Sequence, residues 1–373
     1  MILLINLNKK LYGYELLSTL DKNIGGHEGE VTLLVGLKNG QLASTSVDHT
    51  IKIWDIKSSR LRYTFDWSND GHTNFIDSMV LLPNGNLASG SGDFSVKIWD
   101  VRTGKLVRTF DDSTNGHDSF VYTLAALENG NLASGSDDAS VKIWDVSNGK
   151  LVYTLDKTNE GHTNYVYSLA LLENGYLASV SMDNIIKVWD PVTGKLKFTF
   201  DLSNGGHPEY VYKLIALDDG CMASCSYDGS IKIWDIVMGK LKFTFDRTIG
   251  GHTSWVDDIV QLENGYLASG SGDYSIKIWD VKVGKLVLTF DKSKGGHNDD
   301  VISLVSLDNG YLASGSKDAQ IKIWDVQNGR LVYTFNSTNG GHSERVNSLV
   351  FLDNFLLTSA STDGSIKVWD VSN

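Results

Sequence analysis

The sequence predicts an all-β protein, one closed ring of eight four-stranded antiparallel sheets, and three observations lead there. A Gly-His pair recurs every 45 residues, with its histidines at His27, His72, His117, His162, His207, His252, His297 and His342. A Trp-Asp pair recurs at the same step, at Trp54, Trp99, Trp144, Trp189, Trp234, Trp279, Trp324 and Trp369. Eight copies without insertion or deletion mark a repeat architecture. The third observation is closure: the last copy stops after its third strand, and the missing positions, 375–380, shifted back eight periods fall on 15–20. There Glu15-Leu16-Leu17-Ser18-Thr19-Leu20-Asp21 resembles Lys285-Leu286-Val287-Leu288-Thr289-Phe290-Asp291. Residues 14–373 therefore make one domain, its last sheet completed by the N-terminal strand, and residues 1–13 form an extension outside the period.

Each element can be justified within the third repeat. Val121 to Leu127 is apolar and reads as a first strand, and Glu128-Asn129-Gly130 is a hairpin signal. Leu132 to Ser136 follows as a second strand, and Asp137-Asp138-Ala139 as a tight turn. Val141-Lys142-Ile143-Trp144 alternates as a third strand. Asn148-Gly149-Lys150 turns again, and Leu151 to Leu155 is the fourth strand. No segment has the 3.6-residue period or the length of a helix. Four short strands repeated in this way pack radially as an eight-bladed β-propeller.

Composition narrows the class. Apolar residues make up 41 % and charged residues 21 %, as in ordinary globular proteins, which excludes disorder as the main character. The net charge of −12 opposes the phosphate backbone of nucleic acids. Met1 to Ile5 is too short for a membrane span or a secretory core. Cys221 and Cys225, four residues apart in a strand, lie about 13 Å apart, beyond bridging distance. A monomer in a reducing, cytoplasmic setting is expected.

The Gly-His and Trp-Asp pairs, from about Tyr14 to Asn373, resemble the signature of the WD-repeat (WD40) β-propeller family. The resemblance implies a buried network in each blade: the imidazole meets an Asp in the second turn, and a strand-two Ser links it to the indole N–H. The aspartates are Asp48, Asp93, Asp138, Asp183, Asp228, Asp273, Asp318 and Asp363. Four residues before each lies Ser44, Ser89, Ser134, Ser179, Ser224, Ser269, Ser314 or Ser359. A second Ser sits two before each Asp; both are open as members, and the first is favoured.

One His, one Asp and one Ser per repeat also match the composition of a catalytic triad. Eightfold repetition argues against that, because a nucleophile needs one privileged pocket. Histidines placed singly around a ring do not pair as zinc ligands. Quinone or haem propeller chemistry is the enzymatic alternative, yet the chain has no Cys-x-x-Cys-His and no vicinal Cys pair. No catalytic residue, metal or cofactor is expected. His49 lies outside the pattern and is expected in solvent. Asp21, Asp66, Asp111, Asp156, Asp201, Asp246 and Asp291 open the loops before Gly-His and read as Asx turns rather than cation loops. Lys105, Lys150, Lys195, Lys240, Lys285 and Arg330 read as solvated turn residues. Phe355 stands where the first hairpin ordinarily has Gly, which leaves that turn's geometry open.

Function is expected where the repeats differ. Three residues after each Gly-His histidine come Glu30, Phe75, Phe120, Tyr165, Tyr210, Trp255, Asp300 and Arg345, aromatic in five consecutive blades. Two further on come Thr32, Asp77, Tyr122, Tyr167, Tyr212, Asp257, Ile302 and Asn347. Met182 and Tyr227, just before the turn aspartates, fall in the same sector. The family resemblance implies that these positions face the mouth of the central channel, where partner peptides dock. The expected function is therefore a non-catalytic scaffold that holds a protein or peptide on Phe75, Phe120, Tyr122, Tyr165, Tyr167, Tyr210, Tyr212, Tyr227 and Trp255. Asp77, Asp257 and Asp300 flank these rings and favour a cationic or methylated basic side chain. The plain alternative for the rings is packing between blades. For the whole chain it is an engineered or recently amplified scaffold without a dedicated ligand. Stacking of nucleic-acid bases is opposed by the acidic charge.

Overall fold

The computed structural model describes residues 14–372, so the 1–13 extension, with its Ile2-Leu3-Leu4-Ile5 run, lies outside the described residues. Among the described residues thirty-two strands form eight four-stranded antiparallel sheets. Blade 1 runs from the inside outward as Val31–Leu37, Gln41–Ser46, Ile51–Asp55 and Arg60–Phe65, and blades 2 to 7 repeat this order. Each innermost strand packs on the next, and Val346–Leu352 of blade 8 packs on Val31–Leu37 of blade 1, which closes the ring. Blade 8 takes its outer strand, Glu15–Leu20, from the start of the chain. That strand pairs antiparallel with Ile366–Asp370, Glu15 opposite Asp370 and Leu20 opposite Ile366.

The core lies between blades. The last residue of each outer strand packs on the Trp-Asp indole of the following blade: Phe65 stacks on Trp99 at 4.4 Å, Phe245 on Trp279 at 4.6 Å. At the closing seam Leu20, only 1 % exposed, takes that place in the cluster holding Trp54. Leu16 is only partly buried against the Trp369 cluster, so Leu20 carries most of the apolar closure.

One class of element departs from the strand-only expectation. The loops joining blades contain three-residue 3₁₀ turns, each opened by the anticipated Asp or, before blade 8, by Asn336. Asp66 accepts the Ser68 N–H at 2.9 Å, and Asp201 the Ser203 N–H at 2.9 Å. These carboxylates are occupied as Asx-type caps. The loop also explains the glycine of Gly-His. Gly26 donates to the Asp21 carbonyl at 2.8 Å, and a Cβ there would lie 2.3 Å from that carbonyl carbon.

The expectation for His49 is corrected: it is half-buried, with its ring edge-on to Phe75 at 5.0 Å. Its φ of 64° places it at the tip of the second turn, pointed towards the next blade. The blade 8 hairpin keeps its left-handed geometry despite the missing Gly, with Asn354 at φ 65° and Phe355 at φ 60°.

Candidate functional site

The Gly-His and Trp-Asp positions form one buried polar network per blade. In blade 1, His27 Nδ1 lies 3.0 Å from Asp48 Oδ2, His27 Nε2 lies 2.8 Å from Ser44 Oγ, and Trp54 Nε1 donates to Ser44 Oγ at 2.9 Å. The same three contacts recur in the other blades through His72–Ser89–Trp99, His117–Ser134–Trp144, His162–Ser179–Trp189, His207–Ser224–Trp234, His252–Ser269–Trp279, His297–Ser314–Trp324 and His342–Ser359–Trp369. A carboxylate only accepts, so Nδ1 carries the proton, Nε2 accepts the serine O–H, and the serine oxygen accepts the indole N–H. The second serine stands outside this network and shapes the turn instead. Ser46 Oγ accepts the Asp48 backbone N–H at 3.1 Å, with the same bond at Ser91, Ser136, Ser181, Ser226, Ser271, Ser316 and Ser361.

Burial lowers the pKa of His27, His72, His117, His207, His252, His297 and His342, so these imidazoles are neutral near pH 7. Burial pushes Asp48 and Asp273 upward, but bonds from the imidazole, a neighbouring hydroxyl and a backbone N–H hold both well below the usual carboxylate range. Each imidazole, serine hydroxyl and indole of the network has its partner, and Ser44 and its seven equivalents are fully buried. A serine whose lone pair holds an indole and whose surface is sealed is a strut.

The positions that differ are arranged by two backbone features of the same blades. The residue before each turn aspartate donates its N–H to the residue preceding the inner strand, as in Gly92 to Phe75 at 2.9 Å and Tyr227 to Tyr210 at 2.9 Å. The two variable series therefore sit side by side at the end of the sheet that carries the Gly-His loops. Each inner strand then breaks register around its second residue, as between Val121 and Thr123 and between Val256 and Asp258. Such a bulge leaves Asp77, Tyr122, Tyr167, Tyr212 and Asp257 unpaired and re-aims their side chains.

The rings meet across blades. Tyr122 stacks on Tyr167 of the next blade at 4.9 Å and 18°; Phe120 lies 6.2 Å from Tyr122, and Tyr165 lies 6.5 Å from Tyr167. Phe94 meets Phe120 edge-on at 5.7 Å. Further round, Tyr227 stacks on Trp255 at 5.4 Å and 10°, with Tyr212 at 6.3 Å from Tyr227. Phe75 belongs with His49, and Tyr210 is exposed outside these stacks. Gly92 and Gly272 make room: a Cβ on either would come within 2.5 Å of the Phe120 or Trp255 ring.

Electrostatics separate the three anticipated carboxylates. Asp300 is occupied, paired with Lys317 Nζ at 2.6 Å, so it is not available to a ligand cation as the sequence led us to expect. Asp257 is pushed up to about 7, first by burial and then by Asp300. Burial also raises Asp77. Tyr122 is pushed up to about 12 by burial and by Asp137, Tyr167 and Asp77, which places these groups in one electrostatic cluster. Three buried side-chain oxygens have no hydrogen-bond partner among the described residues: Asp137 Oδ1, Asn184 Oδ1 and Asp257 Oδ2. All three belong to this end of the ring.

The remaining arc is filled. Glu30 Oε1 accepts from Asn347 Nδ2 at 2.9 Å, Thr362 Oγ1 at 3.0 Å and Arg345 Nη2 at 3.3 Å, a polar clasp across the seam between blades 8 and 1. Below the rim, Lys213 pairs with Asp258, which also accepts the Leu304 N–H at 2.7 Å. Sequence reasoning missed Asp137, Lys317, Phe94 and Lys213. The first three flank the turn aspartates, where the repeats vary as much as they do on the inner strands.

The WD domain, G-beta repeat family matches the chain eight times, at 16–55, 60–100, 104–145, 149–190, 194–235, 243–280, 284–325 and 329–370. A crystal structure of the computationally designed Ika8 protein is similar over 96 % of this chain and 100 % of that one, at 30 % identity and a TM-score of 0.79. No curated relative matches. With a polar strut in every blade, a ring closed by the Glu15–Leu20 strand and eight family matches in register, the chain belongs to the WD-repeat family.

Proposed function

We propose that the chain is a non-catalytic interaction scaffold that docks a peptide through a lysine, methylated lysine or arginine side chain at the mouth of blades 2 to 6. One observation carries the reading: Asp137 and Asp257 each keep one buried oxygen without a hydrogen-bond partner among the described residues, Asp137 beside Tyr122 and Tyr167 and Asp257 beside Trp255. A buried carboxylate oxygen without a donor is costly, and an incoming cation both supplies the donor and meets aromatic faces. Asp77 adds a third carboxylate to the cluster. The non-catalytic part of the reading rests on the sealed serines and on eight equivalent His–Asp pairs without a distinguished copy.

The test is titration of fluorescent peptides bearing lysine, trimethyl-lysine, arginine or glutamate. Saturable binding of the basic peptides is expected, with loss of about tenfold or more in a Tyr122→Ala/Tyr167→Ala/Trp255→Ala variant that still melts cooperatively. Equal binding of the glutamate peptide, or capture unchanged in the variant, overturns it. A scaffold without any ligand is the second reading, favoured by the indel-free period and the designed structural neighbour; it predicts no saturation with any peptide.

A further inference from the structure

The opposite end of the ring carries a second asymmetry. Because strands alternate in direction, the turns after the first and third strands of each blade lie at the end away from the Gly-His loops. Between blades 1 and 2 these turns enclose an open cleft of about 470 Å³, lined among others by Lys38, Arg62, Arg102, Asp55 and Asp100. Its charge departs from the repeat. Where Lys38 stands, six other blades carry Glu or Asp, for example Glu128 and Glu173, and blade 2 carries Pro83. Arg62 and Arg102 replace residues that are Val152 and Ser147 in blade 3. The equivalent positions between the other blades hold more carboxylates than cations; here alone cations exceed carboxylates.

Both carboxylates of the cleft are engaged by their own turns. Asp55 accepts the Ser58 N–H at 3.0 Å, and Asp100 accepts the Arg102 N–H at 2.9 Å. Among the described residues the cations are held loosely: Lys38 Nζ reaches only the Pro83 carbonyl at 3.4 Å, Arg102 Nη2 lies 3.4 Å from Asp100, and Arg62 makes no hydrogen bond, its guanidinium lying 5.9 Å from the Tyr63 ring centre. The amide side chains of Asn39, Gln41 and Asn86 line the same space. Two planar guanidinium forks, one ammonium and neutral amides match a tetrahedral, doubly charged oxyanion better than a single carboxylate.

We propose that this cleft binds a phosphate monoester group, as a free small molecule or as a phosphorylated side chain of a partner. The site is independent of the cation-binding mouth and lies on the other face. The intact protein is titrated calorimetrically with phenyl phosphate, with a phosphoserine peptide and with the same peptide unphosphorylated. Saturable binding of the phosphorylated probes is expected, falling about tenfold or more when Lys38→Glu, Arg62→Val and Arg102→Ser restore the residues that blade 3 carries. Those residues already occupy the equivalent positions of blade 3, so the melting temperature should not move. Lys105→Ala, on a neighbouring turn, and the aromatic mouth variant should both bind as the parent does. A peptide tighter than phenyl phosphate assigns the site to a modified partner, and equal affinities assign it to small phosphates. No saturation by either phosphorylated probe, binding that survives the triple substitution, or equal binding of the unphosphorylated peptide overturns the proposal.

Discussion

Two groups of residues lie side by side in every blade and obey opposite rules. The His–Asp–Ser–Trp set is copied without exception, fully buried at its histidines, serines and tryptophans, and leaves no donor or acceptor idle. The set beside it, at the rim, changes from blade to blade, is half-exposed, and contains the buried oxygens of Asp137, Asn184 and Asp257 that find no partner among the described residues. An all-satisfied network rigidifies the place where it sits. Unmet acceptors beside aromatic faces are costs that the isolated ring bears and an incoming donor can relieve. What the blades need to stand is thus distinct from what the ring has available for binding.

The widest difference is expected from the seam. Removing residues 1–20 takes the outer strand from blade 8 and bares the edge of Ile366–Asp370. An unpaired edge recruits other chains. The truncated protein should leave the monomer peak in size-exclusion chromatography and lose its cooperative melt; a monomer with unchanged melting would show that the outer strand and Leu20 are dispensable to closure.

Next comes a matched pair of tryptophans. Trp279→Ala removes a sealed indole and strands the Ser269 oxygen, and should cost about 3–5 kcal/mol in chemical denaturation. Trp255→Ala, half-buried on Tyr227, should cost about 1–2 kcal/mol while weakening capture of basic peptides. Equal costs would erase the distinction between strut and rim.

Much of this was legible in the sequence, for reasons that differ by position. The period, the closing strand and the polar strut were readable because each is written eight times, and a single blade could be checked against seven others. The rim rings were readable as a break in that copying. What they touch was not, because contacts such as Tyr122–Tyr167 and Asp300–Lys317 depend on a bulge and on the turn beside it, and neither leaves a mark of its own in one-dimensional spacing. His49 was misread for the same reason: its left-handed turn points it at the next blade.

The two regions should also respond to pH with opposite signs. Seven strut histidines have pKa values lowered from 6.5 in the fold, so the unfolded chain binds more protons and stability falls as pH drops below about 6.5. The turn aspartates, held low, add to that loss below their unfolded value of 3.8. Asp257 is raised instead, to about 7, so the folded state holds its proton and its contribution is lost as pH rises from 3.8 through about 7. Asp257→Asn should therefore raise the melting temperature at pH 8 and not at pH 4. Basic peptides should bind the parent more tightly as pH rises through about 7, and the variant without that rise. Melting curves and titrations across pH 4–8 would reveal a common sign if Asp257 behaved like the strut carboxylates.

The smallest effect is expected where the copying failed without reaching either site. Asn354 and Phe355 both adopt left-handed backbone in the first hairpin of blade 8, whereas the matching turns place Gly40, Gly130 or Gly220 at the second position. A side chain in that region costs about 1 kcal/mol against glycine. Phe355 lines the same small cavity as Tyr14, Tyr311 and Val371 next to the closing strand, although 40 % of it stays exposed. Phe355→Gly should thus change stability by less than about 1 kcal/mol, with relief of backbone strain set against lost contact at the seam. A stabilised variant means that the turn repeats the rule of its neighbours; a destabilised one means that Phe355 acts as a wedge holding the N-terminal strand, which would move the seam from the repeated set of positions to the specialised one.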